Sequence, residues 1–170
     1  MSKISKIIAL TALAIFAFGV SVTQAGAATM KFRLVLFHTK VEIIKVEDVE
    51  GHIVGVYEST GLASLETGEV AVFEVLGGTF DYTKGTGIHD GYTRLTFEDG
   101  STIFIKGQGT TRPDPKGKGS LFEGGTGEIY QGSGRYAGIQ GRASYTGRRV
   151  VPVGAGAQLY LDYVLTYTLP

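Results

Sequence analysis

Four acidic side chains fall inside runs that read as strands: Glu58, Glu74, Glu128 and Asp162. An acid that points into an apolar interior resists ionisation, because burial strips the charged form of its hydration. Such a group is suited to general acid or base work. Glu74 is the candidate for that role, since Val70, Val72 and Leu76 occupy the alternate positions around it and make its face apolar. Asp162 is expected to face outward. Around it Leu159, Leu161, Tyr163, Leu165 and Tyr167 form the more apolar set, opposite Gln158, Tyr160, Asp162, Val164 and Thr166. The three histidines, His38, His52 and His89, show neither His-x-His nor His-x-x-x-His spacing, so each is expected at the surface or in a turn and no metal site is expected. Cysteine is absent, which removes disulfides, thiolate ligands and thiol nucleophiles together. Gly-x-Ser-x-Gly does not occur, and no serine has an obvious base. Gly132-Ser-Gly134 lacks the spacing of a dinucleotide loop and opens no helix, so neither a phosphate cradle nor a cofactor is expected. Arg148 and Arg149 read as a solvated strand end, with anion binding as the lesser alternative.

The elements that must position these groups are strands. Lys31 to Phe37 and Val41 to Val46 make a first strand region, bent near His38-Thr39-Lys40, and His52 to Leu65 alternates loosely. Glu69 to Leu76 is β-branched and aromatic; Gly77-Gly78 then reads as a bulge or barrel corner before Thr79 to Tyr82. Glu98-Asp-Gly-Ser101 is the strongest hairpin turn in the chain. Arg112-Pro-Asp-Pro-Lys-Gly-Lys-Gly119 is a polar loop whose prolines bar a central strand. From Gly124 to Gly147 the chain reads as two strands joined by a glycine-built corner. Tyr136 is the large apolar group of that corner, and Gly138 and Gly141 keep the start of the next strand free of side chains. Beyond it Ile139, Ala143 and Tyr145 share one face. Val150 to Gly156 leads into a last strand from Gln158 to Leu169. About eight strands with regular turns and almost no helix predict an all-β fold: an eight-stranded antiparallel up-and-down barrel, favoured over a sandwich because closure removes exposed edges.

The first residues have another purpose. Lys3 and Lys6 precede an apolar run, Ile7 to Val20, too short for a comfortable membrane span, and small residues follow up to Ala28. Residues 1–27 are expected to be a signal peptide, and 28–170 a single barrel domain that is secreted or periplasmic, with no stable membrane span after cleavage. The 170-residue chain balances 16 Lys and Arg against 16 Asp and Glu, and loss of the leader leaves it slightly acidic. No basic field exists to hold nucleic acid. Twenty-six glycines without a three-residue period exclude collagen and point to turns and bends.

The corner pattern Gly-x-Gly-x-Tyr-x-Gly-x-x-Gly-x-Ala, Gly132 to Ala143, resembles one found in allene oxide cyclases and dirigent-like barrels. The hairpin Leu95 to Gly107 is similar to that superfamily's central hairpin, and Gln158 to Leu169 to its closing strand. The resemblance covers roughly Gly91 to Pro170. It implies a calycin-like barrel with a mouth at one end, room for one small ligand, and, by analogy, a homo-oligomer. It also implies cofactor-free chemistry: the cyclases hold an unstable epoxide in an apolar barrel beside a glutamate, an asparagine and a cysteine, and dirigent proteins steer radical coupling. This chain departs from that set, having neither Asn nor Cys.

Two functions of different class are thereby expected. One is a secreted barrel binding an apolar or aromatic small molecule, lined by Phe73, Phe104, Tyr145 and Tyr163, which come from four strand regions. The other is a cofactor-free cyclase or isomerase in which a carboxylate such as Glu74, or a tyrosine, polarises a substrate held by shape. A filled barrel with a structural or surface role stands as a third. The first two differ in a buried ionisable group facing the cavity, which only a catalyst needs.

Overall fold

Period-two alternation of apolar and polar side chains resolves into eight strands in a computed structural model that describes residues 26–117 and 119–170. Residues 1–25, on which most of the expected leader falls, lie outside those described. The strands are β1 (Ala28–Lys45), β2 (His52–Leu65), β3 (Val70–Thr83), β4 (Thr86–Phe97), β5 (Thr102–Pro113), β6 (Ser120–Ser133), β7 (Gln140–Arg149) and β8 (Gln158–Thr168). Each pairs antiparallel with the next, and β8 returns to β1, with Phe32 opposite Tyr163 and Leu36 opposite Leu159. The result is the closed eight-stranded up-and-down barrel that the strand pattern predicts. No helix among the described residues is long and apolar enough to cross a membrane.

Strict alternation would carry each strand's inward set from end to end, but bulges interrupt it. In β3 the inward residues are Ala71, Phe73 and Val75; the register then shifts between Val75 and Gly77, and Gly78, Phe80 and Tyr82 take over. An extra residue in one strand changes the phase of everything after it. Without the shift at Leu76-Gly77, Phe80 and Tyr82 would point to solvent. Comparable shifts occur at His38/Lys40 in β1, where the sequence suggests a bend, and at Tyr57/Ser59 in β2.

The interior divides into two halves. Towards one end it is packed solid by Phe32, Leu34, Ala63, Leu95, Ile103, Ile105, Ile129 and Leu165, and a single 3-10 turn, Gly134–Tyr136, closes that end. Tyr136 is buried there against Phe97, ring centroids 4.8 Å apart. Gly138 has φ +76°, which glycine adopts at no steric cost, so the corner turns where its glycines allow. Towards the other end the inward positions become aromatic and polar, and the packing opens.

Candidate ligand-binding site

Inward-facing positions at the open end bring together His38 and Leu36 from β1, Tyr57 and Ser59 from β2, Phe80 and Tyr82 from β3, and His89 from β4. Phe122 of β6, Tyr145 and Arg149 of β7, and Leu159, Leu161 and Tyr163 of β8 complete the wall, with Val153 contributed by the connection before β8. They enclose a cavity with about 50 Å³ of space for the centres of water-sized molecules. That is more than the roughly 10–15 Å³ that one water requires. Its floor is a row of rings: Tyr163 stacks on Tyr145 at 4.7 Å and on Phe32 at 5.2 Å, and Phe73 tilts against it at 5.7 Å.

Some of the large rings fit because the strand beside them carries glycine where the ring lies. A Cβ on Gly125 would overlap the Tyr145 ring. One on Gly109 would lie 2.8 Å from the Tyr145 hydroxyl and 3.0 Å from His89 Nε2. Gly78 stands in the same relation to the Tyr57 ring. Inward glycines in three strands thus let large rings lie flat against backbone, a use of glycine as space rather than as flexibility.

Polar atoms inside this apolar box form a short network. His89 Nδ1 hydrogen-bonds Thr111 Oγ1 at 3.0 Å and its Nε2 bonds the Tyr145 hydroxyl at 2.9 Å; Thr111 Oγ1 also bonds the Tyr82 hydroxyl at 3.0 Å. Hydroxyls both donate and accept, so either neutral tautomer of His89 satisfies both contacts. His38 is different. Its Nδ1 bonds Ser59 Oγ at 2.8 Å, while Nε2, buried, has no partner. Burial, then the nearby Arg149 charge, lowers the pKa of each imidazole to about 4, so both are neutral at physiological pH. Burial pushes the phenols of Tyr57, Tyr145 and Tyr163 upward, and all three remain protonated.

Arg149 ends β7 with its side chain turned inward and is only 4% exposed. Its Nε donates to Val151 O at 3.2 Å and its Nη2 to Ser120 Oγ at 3.0 Å, and its guanidinium lies 5.6 Å from the Phe122 ring centroid. Arg148, one residue earlier, faces out and pairs with Asp114. The doublet expected at a solvated strand end is therefore split, because neighbouring residues of a strand face opposite sides.

Of the residues singled out in the sequence, Phe73, Tyr145 and Tyr163 point inward and line the cavity. Phe104 does not. It alternates with the inward Ile103 and Ile105, lies on the outer face, and its ring meets Tyr130 there at 6.1 Å. Glu74 is corrected for the same reason: with Phe73 inside, its neighbour must be outside, where the Arg94 guanidinium holds it by Nε at 2.9 Å and by Nη2 at 2.5 Å. The apolar face that Glu74 shares with Val70, Val72 and Leu76 is an exposed outer face. Asp162 does face outward, paired with Arg33 at 2.7 Å.

The sequence reading placed the histidines at the surface or in turns, yet His38 and His89 are buried, at 4% and 7% exposure. A signal for both was present. His38 is the next alternate position after Met30, Phe32, Leu34 and Leu36, and His89 begins the series Gly91, Thr93, Leu95, Phe97. Extending each apolar series by one residue finds them. Ser59, which sequence alone left without a base, sits on His38. His52 stays outside the cavity between Asp48 at 2.5 Å and Asp81 at 3.0 Å, contacts that raise its pKa. Among the described residues no three His, Cys, Asp or Glu side chains gather in a metal-binding cluster.

No protein-family model and no curated protein matches the chain. Among solved structures, a conserved protein of unknown function from Rhodopseudomonas palustris aligns over 82% of this chain and 97% of its own, at 12% identity and a TM-score of 0.49.

Proposed function

We propose that the mature chain is an exported barrel that binds an apolar or aromatic small molecule in its interior. The observation that carries this reading is the cavity: one half of the barrel is filled, while the other keeps a space floored by stacked rings and edged by a few convergent polar groups. That combination is the usual form of a small-molecule site. A purely structural barrel has no use for the buried His38 Nε2, since an unsatisfied buried polar group costs about 1–3 kcal/mol. Export rests on the leader pattern of Lys3, Lys6 and the apolar run that follows them.

Titration of the neutral fluorophore N-phenyl-1-naphthylamine into the mature protein tests the reading. Saturable binding is expected, lost in Ser59→Leu, which fills the cavity from β2, and unchanged in Phe104→Ala on the outer wall. A folded wild type that binds no probe, over several probe shapes, returns the barrel to a structural or surface role.

One observation favours the second reading, a cofactor-free isomerase or cyclase of the kind the resemblance to allene oxide cyclases implies. His38 lines the cavity as a neutral imidazole with Ser59 on one nitrogen and the other buried without a partner, which suits it to take or give a proton. Under this reading a carbon acid held in the cavity exchanges its proton with deuterated solvent, and His38→Gln stops the exchange while leaving probe binding intact. Under the simple binding reading no exchange occurs.

A further inference from the structure

Among the described residues no carboxylate pairs with Arg149, although it is one of the most deeply buried polar side chains in the barrel. Its partners are neutral oxygens, a peptide carbonyl and a serine hydroxyl, with the Tyr82 phenol also beside it. Arg33, Arg94, Arg112, Arg135 and Arg148 each have an acidic partner, and Arg142 is exposed to solvent. An arginine stays protonated at neutral pH even where burial lowers its pKa. A buried cation without a counter-charge is costly, and proteins retain such groups where something else supplies the charge.

What stands beside Arg149 narrows the choice. The cavity it borders also holds the unpartnered His38 Nε2, and both imidazoles there are neutral, so neither competes as a cation. The acidic residue of the cavity wall, Asp90, is exposed and its carboxylate accepts from the Thr79 hydroxyl at 2.8 Å. Beyond the polar end lies the ring floor of Phe73, Tyr145 and Tyr163. A ligand that satisfies both ends has a compact anionic head and an apolar or aromatic body.

Resting on the binding reading above, we propose that the barrel's ligand is an organic carboxylate, its head paired with Arg149 and hydrogen-bonded by His38 Nε2, its body laid on the Tyr163 floor. The planar guanidinium matches a carboxylate in geometry. With Ser59 donating to Nδ1, the neutral His38 carries its proton on Nε2 and donates to the same head. The connection from Val150 to Ala157, which contributes Val153 to the wall, is tied to β1 through Gly156 N to His38 O at 2.8 Å and His38 N to Ala157 O at 3.1 Å.

The test compares benzoate, cinnamate and hexanoate with their primary amides, by calorimetry on the mature wild-type protein, with inorganic phosphate and acetate as controls. The acids are expected to bind about ten- to a hundredfold tighter than the amides, the range for a hydrogen bond to a charged group. Arg149→Met should erase that preference and Arg149→Lys should keep part of it. The Arg149 Nε–H resonance, assigned by its loss in Arg149→Lys, should shift with benzoate and not with benzamide; this readout holds even if Arg149→Met does not fold. Equal binding of acids and amides overturns the proposal and leaves the binding reading standing. Phosphate or acetate binding as tightly as benzoate overturns it in favour of a bare anion site. No binding of any compound overturns both.

Discussion

At the scale of single residues, the site depends on imidazoles that burial keeps neutral well below the pH at which they would charge in water. His38 and His89 are neutral because the barrel wall excludes solvent, and each pKa falls to about 4 from an ordinary 6.5. The folded protein thus binds fewer protons than the unfolded chain between those values. The contribution of these two histidines is therefore constant above about pH 6.5 and declines as pH falls towards 4, by at most on the order of 3 kcal/mol for each. Urea midpoints measured across that window should show the decline, and His89→Gln should flatten it. His52 has the opposite sign. Held by Asp48 and Asp81, its raised pKa contributes stability that is present below its unfolded value and disappears as pH rises through the folded one. A stability profile flat from pH 7 to 4 would show that the two buried imidazoles are solvated after all.

At the scale of elements, bulges and glycines decide what the strands present. The bulge at Leu76-Gly77 turns Phe80 and Tyr82 inward, and the glycines of β3, β5 and β6 make room for rings. Gly141 at the start of β7 is the sharpest case. A Cβ there would meet the Thr166 carbonyl oxygen and come within 2.7 Å of Tyr167 Cα, both on the neighbouring β8. The contact is with backbone that is paired on both sides, so it cannot yield cheaply. Gly141→Val is expected to destabilise by about 1–3 kcal/mol, the usual cost of overpacking, read as a lower denaturant midpoint at unchanged slope. Gly77, where a Cβ would meet nothing within 4 Å, is the control: Gly77→Ala should cost far less.

At the scale of the whole molecule, closure joins the two ends of the domain. β1 pairs with β8 along ten consecutive positions, Ala28 to Phe37 against Tyr167 to Gln158. Phe32 and Tyr163 complete the cavity floor across that seam. The barrel therefore starts where the expected leader ends, and a chain cut well inside β1 loses both the seam and the floor. Mass spectrometry of the chain purified from its own host should find a mature N-terminus near Ala25 to Ala28. Recovery of the uncleaved chain from the cytoplasm would overturn the export proposal. A truncation that begins after Leu36 should aggregate, because it leaves β2 and β8 with unpaired edges.

The sequence by itself marked most of the strands, the turn at Glu98-Asp-Gly-Ser101, the corner between β6 and β7, the bend at His38-Thr39-Lys40 and the phase of β7 and β8, while the turn from β3 to β4 went unmarked. Those features follow from local chemistry: glycine and proline interrupt, β-branched and aromatic residues alternate, and a period of two assigns sides within one strand. It also marked three of the cavity rings, Phe73, Tyr145 and Tyr163. It did not determine which of two apolar faces turns inward where both are apolar, as in β3 and β5, and so Glu74 and Phe104 went to the wrong side. Nor did it show that His38, Ser59, His89 and Arg149, up to 111 positions apart in the chain, share one cavity. Only the register of eight strands around a closed circle brings them together. That register depends on every bulge in the ring, because each one reverses the facing of all residues beyond it in its strand.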